Sequence, residues 1–422
     1  MTTLTVYETP VAVPVAGFWT RARKTGAVLL GLGVLAAVVF TMLAPAGESA
    51  RFAFGENITG AGVSIPARLG TAGFGVLCAL AGAALLTGRA DRWLSWLLGL
   101  GLAALVLSFL CWQVAGRTMP LGNVGALAVR AALPLVFGAL AGVLCERTGV
   151  INVAIEGQLL TGAFAGALVG TLAASTWAGL LAAAIGGLFI GLLLAVLAIR
   201  YLVDQVVLGV VLNLFALGLT GFLFTQLMQE HGDKYNNPPV FPVWRIPVLS
   251  DIPVIGPALF ASNVFGYLAM VLVIVVHIAL FRTRWGLRTR AVGEHPTAAD
   301  TVGIRVNLTR YRNVLLAGLV AGIGGASLTI GDVGGFTNNM TNGKGFIALA
   351  ALIFGRWSPI GATLAALLFG FSDALAGFLG NGSAIPSEFL NMLPYLATIV
   401  AVAGLVGRVR APAADGQPYV KG

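Results

Sequence analysis

The chain has 422 residues, 58% of them hydrophobic and only 10% charged, with a formal net charge of +9. Soluble domains carry about 25% charged residues, so this chain has too few charges to cover a water-facing surface, and a soluble enzyme is excluded. The basic excess reads as a membrane-topology signal rather than a nucleic-acid footprint, and no nucleic-acid partner is expected.

The expected fold class is all-α, a polytopic transmembrane helical bundle with about 11–12 membrane segments at about 20 residues per span. The 57 glycines suit close helix packing and not the alternating strands of a membrane β-barrel. Cys78, Cys111 and Cys145 lie in or at the end of apolar runs without CxxC spacing, which argues for packing residues and against a disulfide or zinc framework.

In chain order the apolar runs are 26–44, 68–88, 93–114, 124–145, 157–174, 177–199, 205–228, 265–282, 313–331, 345–355, 358–379 and 389–407. Arg21, Arg23 and Lys24 precede the first. That run exceeds the 7–15 residues of a signal-peptide core, so it reads as an uncleaved first span. The run 345–355 is too short to cross alone and reads as half of a broken helix. With the N-terminus inside and a crossing at every run, only Arg51, Arg68, Arg117, Arg130, Lys234, Arg245 and Lys344 of the 25 basic residues fall outside the cytoplasmic segments. That imbalance satisfies the positive-inside rule and places both termini in the cytoplasm. Residues 283–312 then form a long cytoplasmic loop and 229–264 a long external one. The first three spans lack internal polar features, so 1–120 reads as an N-terminal extension with three helices and 121–410 as the functional core. The polar stretch 411–422 reads as a disordered cytoplasmic tail.

Polar groups inside apolar runs mark the candidate pathway. Arg130 lies in the run 124–145 with Pro134, which frees a backbone carbonyl. Asn152 and Glu156 stand four residues apart in TGVINVAIEG; on a helix they share a face. The stretch is too short to span and reads as a re-entrant segment, tolerated only where it lines a cavity or is buried in protein. In GDVGGFTNNMTNGKG, residues 331–345, Phe336 could stack on a flat ring while Asn338 and Asn339 bond its edges. Asp373 lies mid-way through 358–379. The two Gly-framed segments occupy corresponding places on opposite sides of the membrane, as an inverted repeat predicts. Gly162, Gly166 and Gly170 form consecutive small-xxx-small steps for close helix association.

No energy source is encoded. A P-loop around Gly343-Lys344 needs Gly at 338 and Ser or Thr at 345, where the chain has Asn338 and Gly345. His231, His277 and His295 are widely separated, so no zinc site is expected. In the cytoplasmic loop, GEHPTAADTVGI places Pro296 at a helix start and Gly303 at its stop, with Ala298, Ala299 and Val302 as a small apolar face. Such a short helix can dock in a groove of a partner.

That stretch resembles the coupling loop of bacterial ABC importer permeases. ERTGVINVAIEGQLLTGAFAGALVG is similar to the signature of the branched-chain amino acid / simple sugar / nucleoside permease family, and GKGFIALAALIFGRWSPIGA resembles its nucleoside and simple-sugar branch. The resemblance covers roughly 121–408. It implies a non-enzymatic permease of a bacterial cytoplasmic membrane, importing nucleosides or simple sugars. It also implies a second permease subunit in a heterodimer, an ATPase that holds the ATP and Mg, an external substrate-binding (lipo)protein and surrounding membrane lipid. No cofactor is expected in this chain. By motif, Gly293, Glu294, Pro296, Ala298, Ala299, Asp300 and Gly303 would couple to the ATPase. An ion-gradient-driven secondary transporter, titrating Arg130, Glu156 or Asp373, is the alternative from the residues alone.

Overall fold

A computed structural model describes residues 19–88, 91–380, 389, 392 and 410–421. Ten helices among them are long and apolar enough to cross a membrane: α1 Ala22–Leu43, α2 Ala67–Leu86, α3 Trp96–Gln113, α4 Leu121–Glu146, α5 Ile155–Leu172, α6 Thr176–Arg200, α7 Gln205–Met228, α8 Val264–Arg282, α11 and α13. Here α9 is Arg284–Glu294 and α10 Pro296–Thr301. The spanning α11 covers Val306–Val333, α12 is the short apolar helix Lys344–Phe354, and α13 is Pro359–Gly380. The polytopic helical bundle expected from composition is what forms. The last apolar run, 389–407, lies outside the described residues except at 389 and 392.

The described residues fall into two compact units, one within Met1–Phe52 and Gly62–Met119, the other within Ala53–Ala61 and Pro120–Gly422. The first holds α1 to α3; the second holds α4 to α13. Small strands β1 Ser49–Ala53, β2 Gly62–Pro66 and β3 Thr118–Pro120 form a sheet in the order β2-β1-β3.

Helix starts are set locally. Asp204 accepts from the N–H groups of Val206 and Val207 at 3.0 and 2.9 Å, and Asn263 from Phe265 at 3.1 Å. Each side chain satisfies donors that the first helical turn leaves free. Lipid gives little hydrophobic drive between helices, so association depends on close backbone approach. Glycines provide it where α5, α6 and α11 cross. A Cβ on Gly162 would collide with the backbone of Gly322, and one on Gly187 with the backbones of Gly318 and Gly322. A Cβ on Gly179 would likewise overlap the Gly166 carbonyl and crowd Gly170. The small-residue steps in α5 are therefore the surface on which α11 and α6 sit.

From Ala132 onward α4 is buried throughout, and Gly138 and Gly142 leave room for Ala348 and Leu352 of α12 and for Ile155. At 1.5 Å per residue, the 11 residues of α12 span about half of a 30 Å hydrocarbon core. It is the half-helix the sequence indicates.

Candidate functional site: a half-helix held at both ends

The stretch from Glu146 to Glu156 runs beside α12 and grips it at each end. At the start of α12, the Glu156 carboxylate accepts three hydrogen bonds: from the Thr341 hydroxyl at 2.6 Å, the Gly343 N–H at 2.8 Å and the Gly345 N–H at 2.6 Å. A negative group here satisfies orphan helix donors and meets the positive end of the helix dipole. Gly345 packs so closely on the Glu156 backbone that a Cβ would overlap it.

Past the other end of α12, Arg356 and Trp357 adopt left-handed backbone, φ 54° and 53°, an arrangement that L-residues reach at a cost. Arg147 Nε donates to the Trp357 carbonyl at 2.8 Å, and the Trp357 indole N–H donates to Glu146 Oε2 at 2.6 Å. A basic group at this end again matches the dipole.

Between its two grips the segment is not helical. Gly149 has φ +81° and α5 begins only at Ile155. Asn152 and Glu156 therefore do not share a helix face, which corrects the expectation from their spacing. Asn152 is fully buried and its Nδ2 donates to Gln158 Oε1 at 3.1 Å. Side chains of α7 supply the missing backbone partners. Gln205 Oε1 accepts from the Ile151 N–H at 2.7 Å, Asn213 Oδ1 from the Gly157 N–H at 2.8 Å, and Asn213 Nδ2 donates to the Val153 carbonyl at 2.9 Å. Glu146, Gln205, Asn213 and Trp357 were absent from the residues the sequence singled out. Gln205 and Asn213 were findable as amides inside an apolar run; the roles of Glu146 and Trp357 needed the fold.

The other candidates separate into buried and exposed groups. Phe336 is buried, edge-on to Phe164 and Phe224 with centroids 5.3 and 5.8 Å apart. Its backbone is clamped by both amide atoms of Asn236 at 2.6 and 2.8 Å. The enclosed ring has no open face for a ligand, so the stacking expectation is corrected. Asn338 and Asn339 are exposed, as is Arg130, on α4. Asp373 and Lys344 approach to 3.8 Å with side chains 55% and 26% exposed. Exposed charges on membrane-spanning helices are costly against lipid.

The long loop 283–312 touches the gripping segment directly. Gly293 lies so close to the Arg147 carbonyl that it has no space for a side chain. Buried Arg310 donates from Nε to the Thr148 carbonyl at 3.2 Å. Pro296 opens α10, and Gly303, φ +85°, follows it in the left-handed conformation glycine favours. Ala299 turns inward among Val292, Val306 and Tyr419. Ala298 and Val302 face outward, so the three do not form the single face expected.

The tail is also corrected. Residues 413–416 form a turn whose Ala414 N–H donates to the Gly293 carbonyl at 2.9 Å, while the Ala413 N–H reaches Glu294 Oε2 at 3.2 Å. Arg310 Nη1 donates to the Gln417 carbonyl at 3.0 Å. Tyr419 closes the small apolar cluster, and a polar tail is fixed because a buried guanidinium and a buried aromatic hold it. Burial pushes the Asp415 carboxyl up to about 7, because the charged form loses hydration there.

The family model for the branched-chain amino acid transport system / permease component matches residues 125–403. The guanosine ABC transporter permease protein NupQ of Bacillus subtilis is 42% identical over 69% of this chain and 94% of its own length. The nucleoside ABC transporter permease protein NupC of Lactococcus lactis is 42% identical over 68% of this chain and 93% of its own. This chain belongs to that permease family.

A second Bacillus subtilis protein, the guanosine ABC transporter permease protein NupP, is 27% identical to this permease over 76% of its length and 96% of the relative. No solved structure matches. The matched region begins near the N-terminal end of α4, so the gripping segment, α12 and α9–α10 all belong to the family's permease core, whereas α1 to α3 precede it.

Proposed function

We propose that this permease is one of two unlike subunits that form the membrane pathway of an ATP-driven nucleoside importer in a bacterial cytoplasmic membrane. The observation that carries the mechanism is the continuous contact from the cytoplasmic loop to α12. Gly293 rests on Arg147, Arg310 holds Thr148, and the same segment grips the half-helix through Arg147, Glu146 and Glu156. A displacement of α10 is transmitted through rigid, hydrogen-bonded backbone to a broken helix, the element that such transporters use to line a substrate path.

ATP and Mg belong to a separate ATPase, which engages α10 on the side where Ala298 is exposed, while Asp300 is half-buried against Tyr419. When the ATPase closes, α10 moves, the segment 146–156 follows, and α12 tips between inward- and outward-open arrangements. An external binding (lipo)protein delivers the substrate. The basic residues of α9 and its flanks support a cytoplasmic side for this loop and for both termini.

The pathway is bordered by the exposed Arg130, Asn338, Asn339 and Asp373, with Lys344 3.8 Å from Asp373, and the second permease covers these residues. Exposed charges on spanning helices support this placement, since a partner subunit spares them from lipid. Two distinct guanosine permease proteins in one bacterium support a heterodimer. Glu156, Asn152 and Phe336 shape the path from behind; the Glu156 carboxylate is committed to the chain itself, and Asn152 uses its Nδ2 on Gln158. The names of the two 42%-identical relatives support a nucleoside as substrate.

The test is purification of the chain through an N-terminal tag, which leaves the docked tail free, followed by identification of co-purifying chains. An ATPase and a second permease are expected. A chain that emerges alone and transports a nucleoside on an ion gradient overturns the proposal.

A further inference from the structure

The two flanks of the cytoplasmic loop are treated differently. On one, the tail covers Val292, Gly293, Val306 and Arg310. On the other, α9, residues 302–305 and the first turns of α11 enclose an open cavity of about 560 Å³. Its walls carry three guanidinium groups, Arg288, Arg305 and Arg312, and three exposed apolar side chains, Leu287, Val302 and Leu308.

No acidic residue lines this cavity. Among the described residues, none of the three arginine side chains has a hydrogen-bond or ion-pair partner. Three like charges converging on one partly apolar cavity repel one another, and an anion placed between them relieves that repulsion. Planar guanidinium forks are well matched to phosphate oxygens.

The position of the cavity selects the source of the phosphate. On α11, Leu308, Arg312 and Leu316 lie at i, i+4 and i+8 and share one face; Leu308 and Leu316 are 40% and 42% exposed. Since α11 spans the membrane, that face leads from the cavity along the spanning helix toward the hydrocarbon. The combination of a cationic cavity and an exposed leucine stripe leading away from it fits a molecule with a phosphate at one end and an acyl chain at the other.

We propose that this cavity binds the phosphate headgroup of an anionic phospholipid, with one acyl chain lying along Leu308 and Leu316. Val302 and Gly303, at the end of α10, form part of its wall. The bound headgroup therefore braces α10 on the flank opposite the tail. The proposal rests on α11 spanning the membrane and not on the identity of the substrate.

The test uses the isolated full-length chain, delipidated in mild detergent and titrated with phosphatidylglycerol or phosphatidylcholine, with native mass spectrometry as the readout. Each arginine near an anionic headgroup contributes about fivefold in binding. The triple variant Arg288→Gln, Arg305→Gln, Arg312→Gln is therefore expected to lose about 100-fold of the preference for phosphatidylglycerol. Arg200→Gln, which removes an exposed basic residue at the end of α6, is expected to leave that preference unchanged. Elution of all variants at the wild-type size keeps misfolding from counting as support.

Equal retention of the two lipids by the wild-type chain overturns the proposal, as does equal retention of phosphatidylglycerol by the wild type and the triple variant. Displacement of the lipid by millimolar inorganic phosphate would show a site for free anions and equally overturns the assignment to lipid. So would a triple variant that keeps its lipid preference but no longer retains the ATPase, because the cavity is then a protein dock.

Discussion

Replacing Glu156 isolates the grip on α12. Its carboxylate takes three hydrogen bonds, two of them from backbone N–H groups at the start of the half-helix. Hydrogen bonds to a charged group contribute about 1.5–3 kcal/mol each, and a buried donor left without a partner costs about 1–3 kcal/mol. Glu156→Ala removes all three acceptor contacts and strands the buried Thr341 hydroxyl and Gly345 N–H. Allowing for non-additivity, the expected local loss is about 4–6 kcal/mol. Glu156→Gln preserves shape but turns an amide NH₂ toward one of the donors, for about 1–3 kcal/mol. Hydrogen–deuterium exchange across 341–348 reads this directly. At about 1.4 kcal/mol per tenfold, exchange there should rise by about three to four orders of magnitude in the alanine variant. The glutamine variant should show a rise of about ten- to hundredfold. Substrate uptake should fall in the same order while both variants remain inserted. Unchanged exchange at 341–348 in Glu156→Ala would refute the view that this carboxylate holds the half-helix.

Other consequences follow from the same geometry. Gly293→Ala places a methyl against the Arg147 carbonyl, so ATP hydrolysis by the assembled complex should continue while uptake falls at least tenfold; uptake at wild-type rate would exclude a tight contact there. Gly303→Val forces a β-branched residue into φ +85°, costing about 1–2 kcal/mol, and should weaken ATPase retention without altering membrane insertion, as measured by co-purification. Removal of residues 411–422 exposes Arg310 and takes Tyr419 out of the cluster with Val292, Ala299 and Val306, and limited proteolysis should then cut within 293–305 at least tenfold faster. The Asp415 carboxyl is raised to about 7 in the docked tail, against an ordinary value near 3.8. The docked tail therefore binds more protons than the free one between those values, and docking weakens as pH rises from about 4 to about 7. Tail protection from proteolysis should fall over that window, and Asp415→Asn should flatten the dependence.

How far the sequence reached is clear from individual residues. The apolar runs that became spanning helices were visible because lipid demands about 20 uncharged residues, and α12 stood out as too short. The glycine steps at 162, 166 and 170 correctly marked a helix crossing, since only small residues permit it. Glu156 was visible as a carboxylate in an apolar segment, but its partners lie 185 to 189 positions away, and no local pattern announces them. The spacing of Asn152 and Glu156 misled because the helix begins only at Ile155, which leaves Asn152 outside it. Phe336 looked like a platform for a ring; its burial depends on Phe164 and Phe224 arriving from two other helices. The tail looked disordered from its polarity, yet one buried arginine and one tyrosine suffice to fix it.

The central claim is that this permease serves ATP-driven nucleoside import, and uptake of radiolabelled guanosine tests it most directly. Right-side-out membrane vesicles from cells producing the whole system, with and without this chain, are loaded with ATP and then treated with an uncoupler. The account predicts uptake that requires both ATP and this chain and that persists when the ion gradient is collapsed. Uptake that survives without ATP and disappears with the uncoupler would contradict it.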